Sequence, residues 1–242
     1  MDKRVSTSQA VLVATVLGVV IYVVSRILSQ ATLPELSGII DLGSIGQRNL
    51  VFKSYMLLLT LLAMYIFRSQ VKDRYGFQAG TDVSYWLLLR KGVLFCLLGL
   101  ACLIFLNVIG FLVTRKRPAG FAPDKFLNWF LYIWIWSSVV EEILFRGLLQ
   151  SYLSRFNQKL FTIRKAVITP AVFVPALLFA AMHLTLFMQG MAVSVVAGIF
   201  INALILGLLA GYYREKTGSI YPAIFLHILF NVIGYLPVLL QR

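Results

Sequence analysis

Acidic side chains are scarce in this chain. Its 242 residues hold nine Asp and Glu against 22 Lys and Arg, and only 13% are charged. Soluble domains carry nearer a quarter, so the shortage excludes an ordinary soluble globular domain. Cysteine is scarcer. Cys96 and Cys102 are the only two, and six residues apart in one apolar stretch they form neither a disulfide framework nor a metal-ligand pattern. They read as small buried hydrophobes. Histidine is limited to His183 and His227. Segments that alternate apolar and polar residues, the signature of a β-barrel, are absent.

What the chain has in excess is hydrophobic residue, 60% of the total, arranged in long runs. The expectation is an all-α, polytopic transmembrane helical bundle. The net charge of +13 does not point to nucleic acid. Lys and Arg cluster between the apolar runs, where they hold loops on the cytoplasmic side.

Seven spans are predicted: Ala10–Leu28, Leu50–Phe67, Tyr85–Val113, Phe126–Leu153, Val172–Phe187, Ala192–Tyr213 and Ile220–Leu240. An eighth follows if Tyr85–Val113 is split or Gln30–Asn49 is used. Arg90 and Lys91 interrupt the third run, which puts its membrane part at Gly92–Val113 and leaves Tyr85–Lys91 at the interface. Gln30–Asn49, with Pro34, Gly38, Gly43 and Gly46, reads as a loop. Pro170 and Pro175 bracket the start of the fifth span, so its regular part is expected from Pro175, with His183 well inside. The first run reads as an uncleaved helix rather than a signal peptide, being long for the latter. Basic residues then favour a cytoplasmic N-terminus, with Arg68, Arg74, Arg155, Lys159 and Arg214 inside and Arg48, Lys53 and Lys125 outside. The Arg115–Arg117 cluster opposes this locally.

Seven of the nine acids fall in termini or loops. The other two are adjacent, Glu141 and Glu142, inside the fourth apolar span; both histidines also fall inside apolar spans. Insertion scales set one central Arg, Lys or Asp at roughly +2.5–3.5 kcal/mol, so such residues face a protein interior or a wet cavity. On a helix Glu142 and Arg146 are i,i+4 and share a face. Glu141 points about 100° away and has no i,i+4 cation, which leaves it free for chemistry. His227 and Asn231 are also i,i+4. Three helices thus each present polar groups at membrane depth. Their convergence on one cavity would supply acid–base groups, with hydrogen-bond donors left for an oxyanion.

Each residue alone has a plainer reading. A single intramembrane His is often an interhelical hydrogen-bond partner, and Asn231 and Asn202 read the same way. Glu142 and Arg146 read as a structural ion pair that fixes register. Trp129–Trp136 reads as an interfacial or lipid-facing aromatic belt. The joint pattern resists such dismissal.

Glu141-Glu142-x-x-x-Arg146, Phe179-x-x-x-His183 and His227-x-x-x-Asn231 resemble, in order, the three motifs of the CAAX-protease and bacteriocin-processing family of intramembrane glutamic endopeptidases. The resemblance covers Phe126 to Leu240. It divides the bundle into residues 1–125, without motif, and a catalytic core over 126–242. It implies that Glu141 is general base for a water, assisted by His183. His227 and Asn231 would stabilise the oxyanion, and Glu142 and Arg146 would hold the site in shape. No metal or other cofactor is implied. The partners would be a peptide or membrane-protein substrate and the lipid bilayer, with the chain in a bacterial inner membrane. Three other readings stand beside this one. A zinc protease could use the same Glu and His residues, although no His-Glu-x-x-His occurs. A transporter also carries intramembrane Glu and His, but should show paired repeats. A non-catalytic membrane protein, such as one conferring bacteriocin tolerance, would not need Glu141.

Overall fold

Ser6 and Ser44 open the first two helices in the same way. Each hydroxyl accepts the backbone N–H three residues on, from Gln9 and Gln47, and each of those glutamines accepts the serine's own N–H in return. Two otherwise orphaned donors are satisfied at each start. The computed structural model describes residues 6–39, 42–71, 73–80, 83–116, 125–156, 159–163 and 166–235. Within them the chain forms α1 (Thr7–Ser37), α2 (Ile45–Phe67), α3 (Tyr85–Thr114), a helix α4 over 126–153, β1 (Phe161–Ile163), β2 (Ala166–Ile168), α5 (Pro170–Met182) continued by a 3-10 segment His183–Gln189, α6 (Val193–Thr217) and α7 (Tyr221–Gly234).

Among the described residues, five helices are long and apolar enough to cross a membrane: α1, α2, α3, α5 with its 3-10 extension, and α6. The protein is an integral membrane protein. Its many exposed Leu, Val, Ile and Phe side chains on α1 and α3 are the lipid-facing surface that such a bundle requires. α4 differs. From 140 to 153 every residue is buried, the condition of a helix that is apolar all round and enclosed by others. Two stretches of it, Trp129–Ser137 and Ile143–Gln150, are wound as π-helix, and Ser138–Glu142 between them is α-helical. Such i→i+5 stretches are rare and recur at functional sites.

The pairings of the helices give their directions. Along α2, Asn49 meets Tyr132 and Lys53 meets Glu141, so α2 and α4 run parallel. Arg146 and Gln150 meet Gly207 and Gly211, so α6 is parallel to both. His227 meets Glu142 and Asn231 meets Ser138, so α7 runs the other way. Asn107 with Ser194 and Gly99 with Asn202 make α3 antiparallel to α6. Gly18 with Leu178 and Tyr22 with Thr185 make α1 parallel to α5, while Val172 with Gly211 and Ala176 with Gly207 make α5 antiparallel to α6. Successive helices therefore alternate in direction.

Close approach at small residues lets polar side chains reach across. A Cβ at Gly207 would stand 2.9 Å from Ala176. The bare backbone there leaves the Gly207 carbonyl to accept from Arg146 Nη2 at 3.2 Å, and the Gly211 carbonyl to accept from Gln150 Nε2 at 2.8 Å. Small interface residues serve this purpose in membrane bundles.

Several expectations are corrected. α1 runs through Pro34 to Ser37, so much of Gln30–Asn49 is helix; the proline forfeits one i→i−4 bond close to the helix end, with only three helical residues after it. α5 starts at Pro170, with Thr169 as its cap. Proline fits a first turn, and Pro175 is accommodated one turn later. His183 therefore lies at the end of the α-helix. Arg90 and Lys91 do not break α3. The all-α class holds, with one small addition, an antiparallel ribbon that pairs Phe161–Ile163 with Ala166–Ile168. The last span was expected to reach Leu240, but its part beyond Tyr235 lies outside the described residues. Cys96 is buried as expected, whereas Cys102 is exposed on the apolar surface.

Candidate active site

α4 carries the two carboxylates to the middle of the bundle. Glu142 and Arg146 are both fully buried and pair at 3.1 Å, as their i,i+4 spacing predicts. Glu142 has a second partner: its Oε1 lies 2.8 Å from His227 Nδ1. A carboxylate paired with a guanidinium only accepts, so Nδ1 is the donor in this bond. That fixes the ring and leaves Nε2 pointing toward Glu141 Oε2, 3.5 Å away.

Glu141 is not free of a cation. Its Oε1 pairs with the ammonium of Lys53 and accepts the Ser137 hydroxyl at 2.9 Å. By sequence Lys53 counts among the basic residues of the outer side, yet it is 3% exposed, with its ammonium 4.8 Å from the Phe52 ring centre. The available signal was its position. Lys53 is the sole charged residue of Leu50–Phe67, and the rule that singled out Glu141 and Glu142 applies equally to a lysine.

His183 sits where α5 gives way to the 3-10 segment. Its Nδ1 lies 2.9 Å from the Phe179 carbonyl. A carbonyl can only accept, so Nδ1 carries the proton and Nε2 is the ring's acceptor. Phe179, four residues earlier in the motif, packs edge-on against both His183 and His227 at 5.2 Å. The phenylalanine thus holds the two imidazoles in register.

Glu141, His183, His227 and Asn231 all line one cavity of about 480 Å³, together with Ser137. Four residues expected to converge do so. Glu142 and Arg146 lie behind the cavity wall. Asn231 donates its amide N–H groups to Ser138 Oγ at 2.9 Å and to the Ile133 carbonyl at 3.4 Å, so α7 is tied to α4 at this point. The far side of the cavity is apolar, with Leu100, Leu103, Ile199 and Leu206, and includes Asn107 and Asn202. Asn202, read as structural from sequence, stands on the cavity wall. The aromatic belt is corrected too. Trp129 and Trp134 are 7% and 6% exposed, pack tilted and edge-on against Tyr235 and line the cavity. The π-helical winding of Trp129–Ser137 belongs to the stretch that turns them inward.

Among the described residues no group of three or more His, Cys, Asp or Glu is placed to hold a metal ion. The cluster has the groups that proton transfer needs. It holds one acceptor nitrogen on His183, one carboxylate oxygen of Glu141 without a cation, and a second imidazole between two carboxylates.

Neither the curated proteins nor the solved structures include a significant match to this chain. Residues 123–233 match the family described as type II CAAX prenyl endopeptidase Rce1-like. That region contains every cavity residue of the three motifs, and over it the chain is similar to the CAAX-protease family of membrane endopeptidases.

Proposed function

We propose that this protein is a glutamic-type intramembrane endopeptidase that hydrolyses a peptide bond with a water activated by Glu141 and His183. The convergence of Glu141, His183, His227 and Asn231 on one cavity, in a chain similar to a protease family, is the observation that carries the reading. Oε2 of Glu141 and Nε2 of His183 are acceptors available to a water there. The water gives up its proton to them as its oxygen attacks the carbonyl carbon. The carbonyl oxygen gains charge and is met by His227 in the form that carries a proton on Nε2 as well as on Nδ1, and by Asn231 once its amide turns from Ser138. The stored proton then passes to the leaving amine. Glu142 and Arg146 hold His227 in its working orientation.

Seven passes with a cytoplasmic N-terminus account for the alternating helix directions. α4 crosses as an enclosed helix, while α7 has only 14 described residues, about 21 Å of rise. The substrate is a peptide or membrane protein of a bacterial inner membrane. A cleavage assay on the reconstituted protein against a peptide library tests the reading. Glu141→Ala, His183→Ala and His227→Ala should each abolish cleavage, and chelator should leave the wild type unaffected. Cleavage lost to chelator and restored by zinc would favour a metal enzyme; full activity in Glu141→Ala would end the proposal.

A further inference from the structure

We infer that Lys53 is the positioning residue of Glu141, supplied by the part of the chain outside the family match. The inference rests on the endopeptidase reading above. α2 lies wholly before residue 123, where the family match begins. Yet it packs along α4 with Asn49 donating to the Tyr132 carbonyl at 3.2 Å. One helical turn on, on the same face, Lys53 meets Glu141 Oε1. Met56 beside it is fully buried.

The geometry divides the carboxylate in two. Oε1 is held by the ammonium and by the Ser137 hydroxyl. Oε2 is left facing His227 Nε2 and the cavity. Lys53 itself does not line the cavity, so it acts on a substrate only through Glu141. Two consequences follow. The pairing selects which oxygen is presented to the water, and it supplies a counter-charge without which an ionised carboxylate among apolar side chains is costly. Two ion pairs then hold the carboxylates, Glu142 with Arg146 and Glu141 with Lys53, with the His227 ring between the two acids.

The anchoring of Lys53 involves α1 as well. Phe52 stands between the Lys53 ammonium and the Arg26 guanidinium, 5.7 Å from its ring centre, and packs edge-on against Tyr22 at 5.4 Å. Tyr22 in turn hydrogen-bonds Thr185, two residues past His183, at 2.9 Å. The first two helices thus reach the acid and the base by separate contacts.

The test uses the full-length protein in liposomes and the library peptide that the wild type cleaves fastest. Lys53→Met should lower kcat by about 10²-fold, the scale of a misplaced catalytic group, with KM within about twofold. Lys53→Arg, which keeps the charge, should recover part of that loss. In a Glu141→Gln background Lys53→Met should cause no further fall, because its target is gone. Melting temperature of each variant is read in parallel. If Lys53→Met does not fold, Lys53→Gln and Lys53→Arg carry the same comparison. A kcat within twofold of wild type in a folded Lys53→Met or Lys53→Gln protein would overturn the inference. So would a loss that merely tracks the folded fraction. Absence of cleavage by the wild type would instead count against the endopeptidase reading.

Discussion

Glu141 and Glu142 are neighbours in the chain and occupy opposite kinds of surroundings. Glu142 faces the closed side of α4, at zero exposure, between the Arg146 guanidinium and His227. Glu141 faces the cavity, with one oxygen held by Lys53 and Ser137 and the other open. Their cations differ in kind as well. A guanidinium cannot give up its charge, whereas an ammonium can. In the proposed mechanism the locked pair therefore belongs to the frame, and the pair that opens on the cavity to the chemistry. Burial of a charge does not separate these roles; the open side of the carboxylate does.

The difference can be broken from either end. The largest effect is expected from Glu142→Gln, which leaves Arg146 charged and unpaired in the core and frees His227. Removing one partner of a buried pair costs about 3–5 kcal/mol, read as a lower melting temperature and a smaller folded yield in detergent. Glu141→Gln should spare more of the fold, because the amide oxygen can still accept from Lys53 and Ser137, while cleavage falls by about 10²–10⁴-fold, the usual contribution of general acid–base catalysis. Initial rates measured per folded molecule separate the two variants. Replacing both partners, Glu142→Gln with Arg146→Met, should be less damaging than the sum of the single changes. A coupling of about 1–3 kcal/mol is expected from a thermal-unfolding double-mutant cycle. Ser137→Ala removes one hydrogen bond from Glu141 and should lower the rate about tenfold, near the lower end for bonds to charged groups. Cys102→Ala, on the exposed apolar surface, should shift stability by no more than about 0.5 kcal/mol and leave cleavage unchanged, which anchors the scale.

Much of the site was legible because the background is so apolar. Glu141, Glu142, His183 and His227 stand out in runs of Leu, Val and Phe, and the energetic cost of polar groups at that depth marks them without further information. The i,i+4 spacings of Glu142 with Arg146 and of His227 with Asn231 are properties of a helix, so one helix suffices to read them. Lys53 escaped because the same residue type also marks span ends, and four residues into a span it looked like a flanking cation. Trp129 and Trp134 escaped for a related reason. Aromatic residues serve both at the interface and in cores, and composition alone does not choose between them.

By itself the sequence determined that this chain is a helical membrane protein with a small set of polar groups buried in apolar helices, because hydropathy and helical period are local properties. It also determined that Glu142 pairs with Arg146. Only the tertiary structure decided which cation meets Glu141, that His227 is held between two carboxylates, and that the tryptophans turn inward. Those outcomes depend on which helices touch and in which rotation. Side chains 88 residues apart, as Lys53 and Glu141 are, carry no local signal of their meeting.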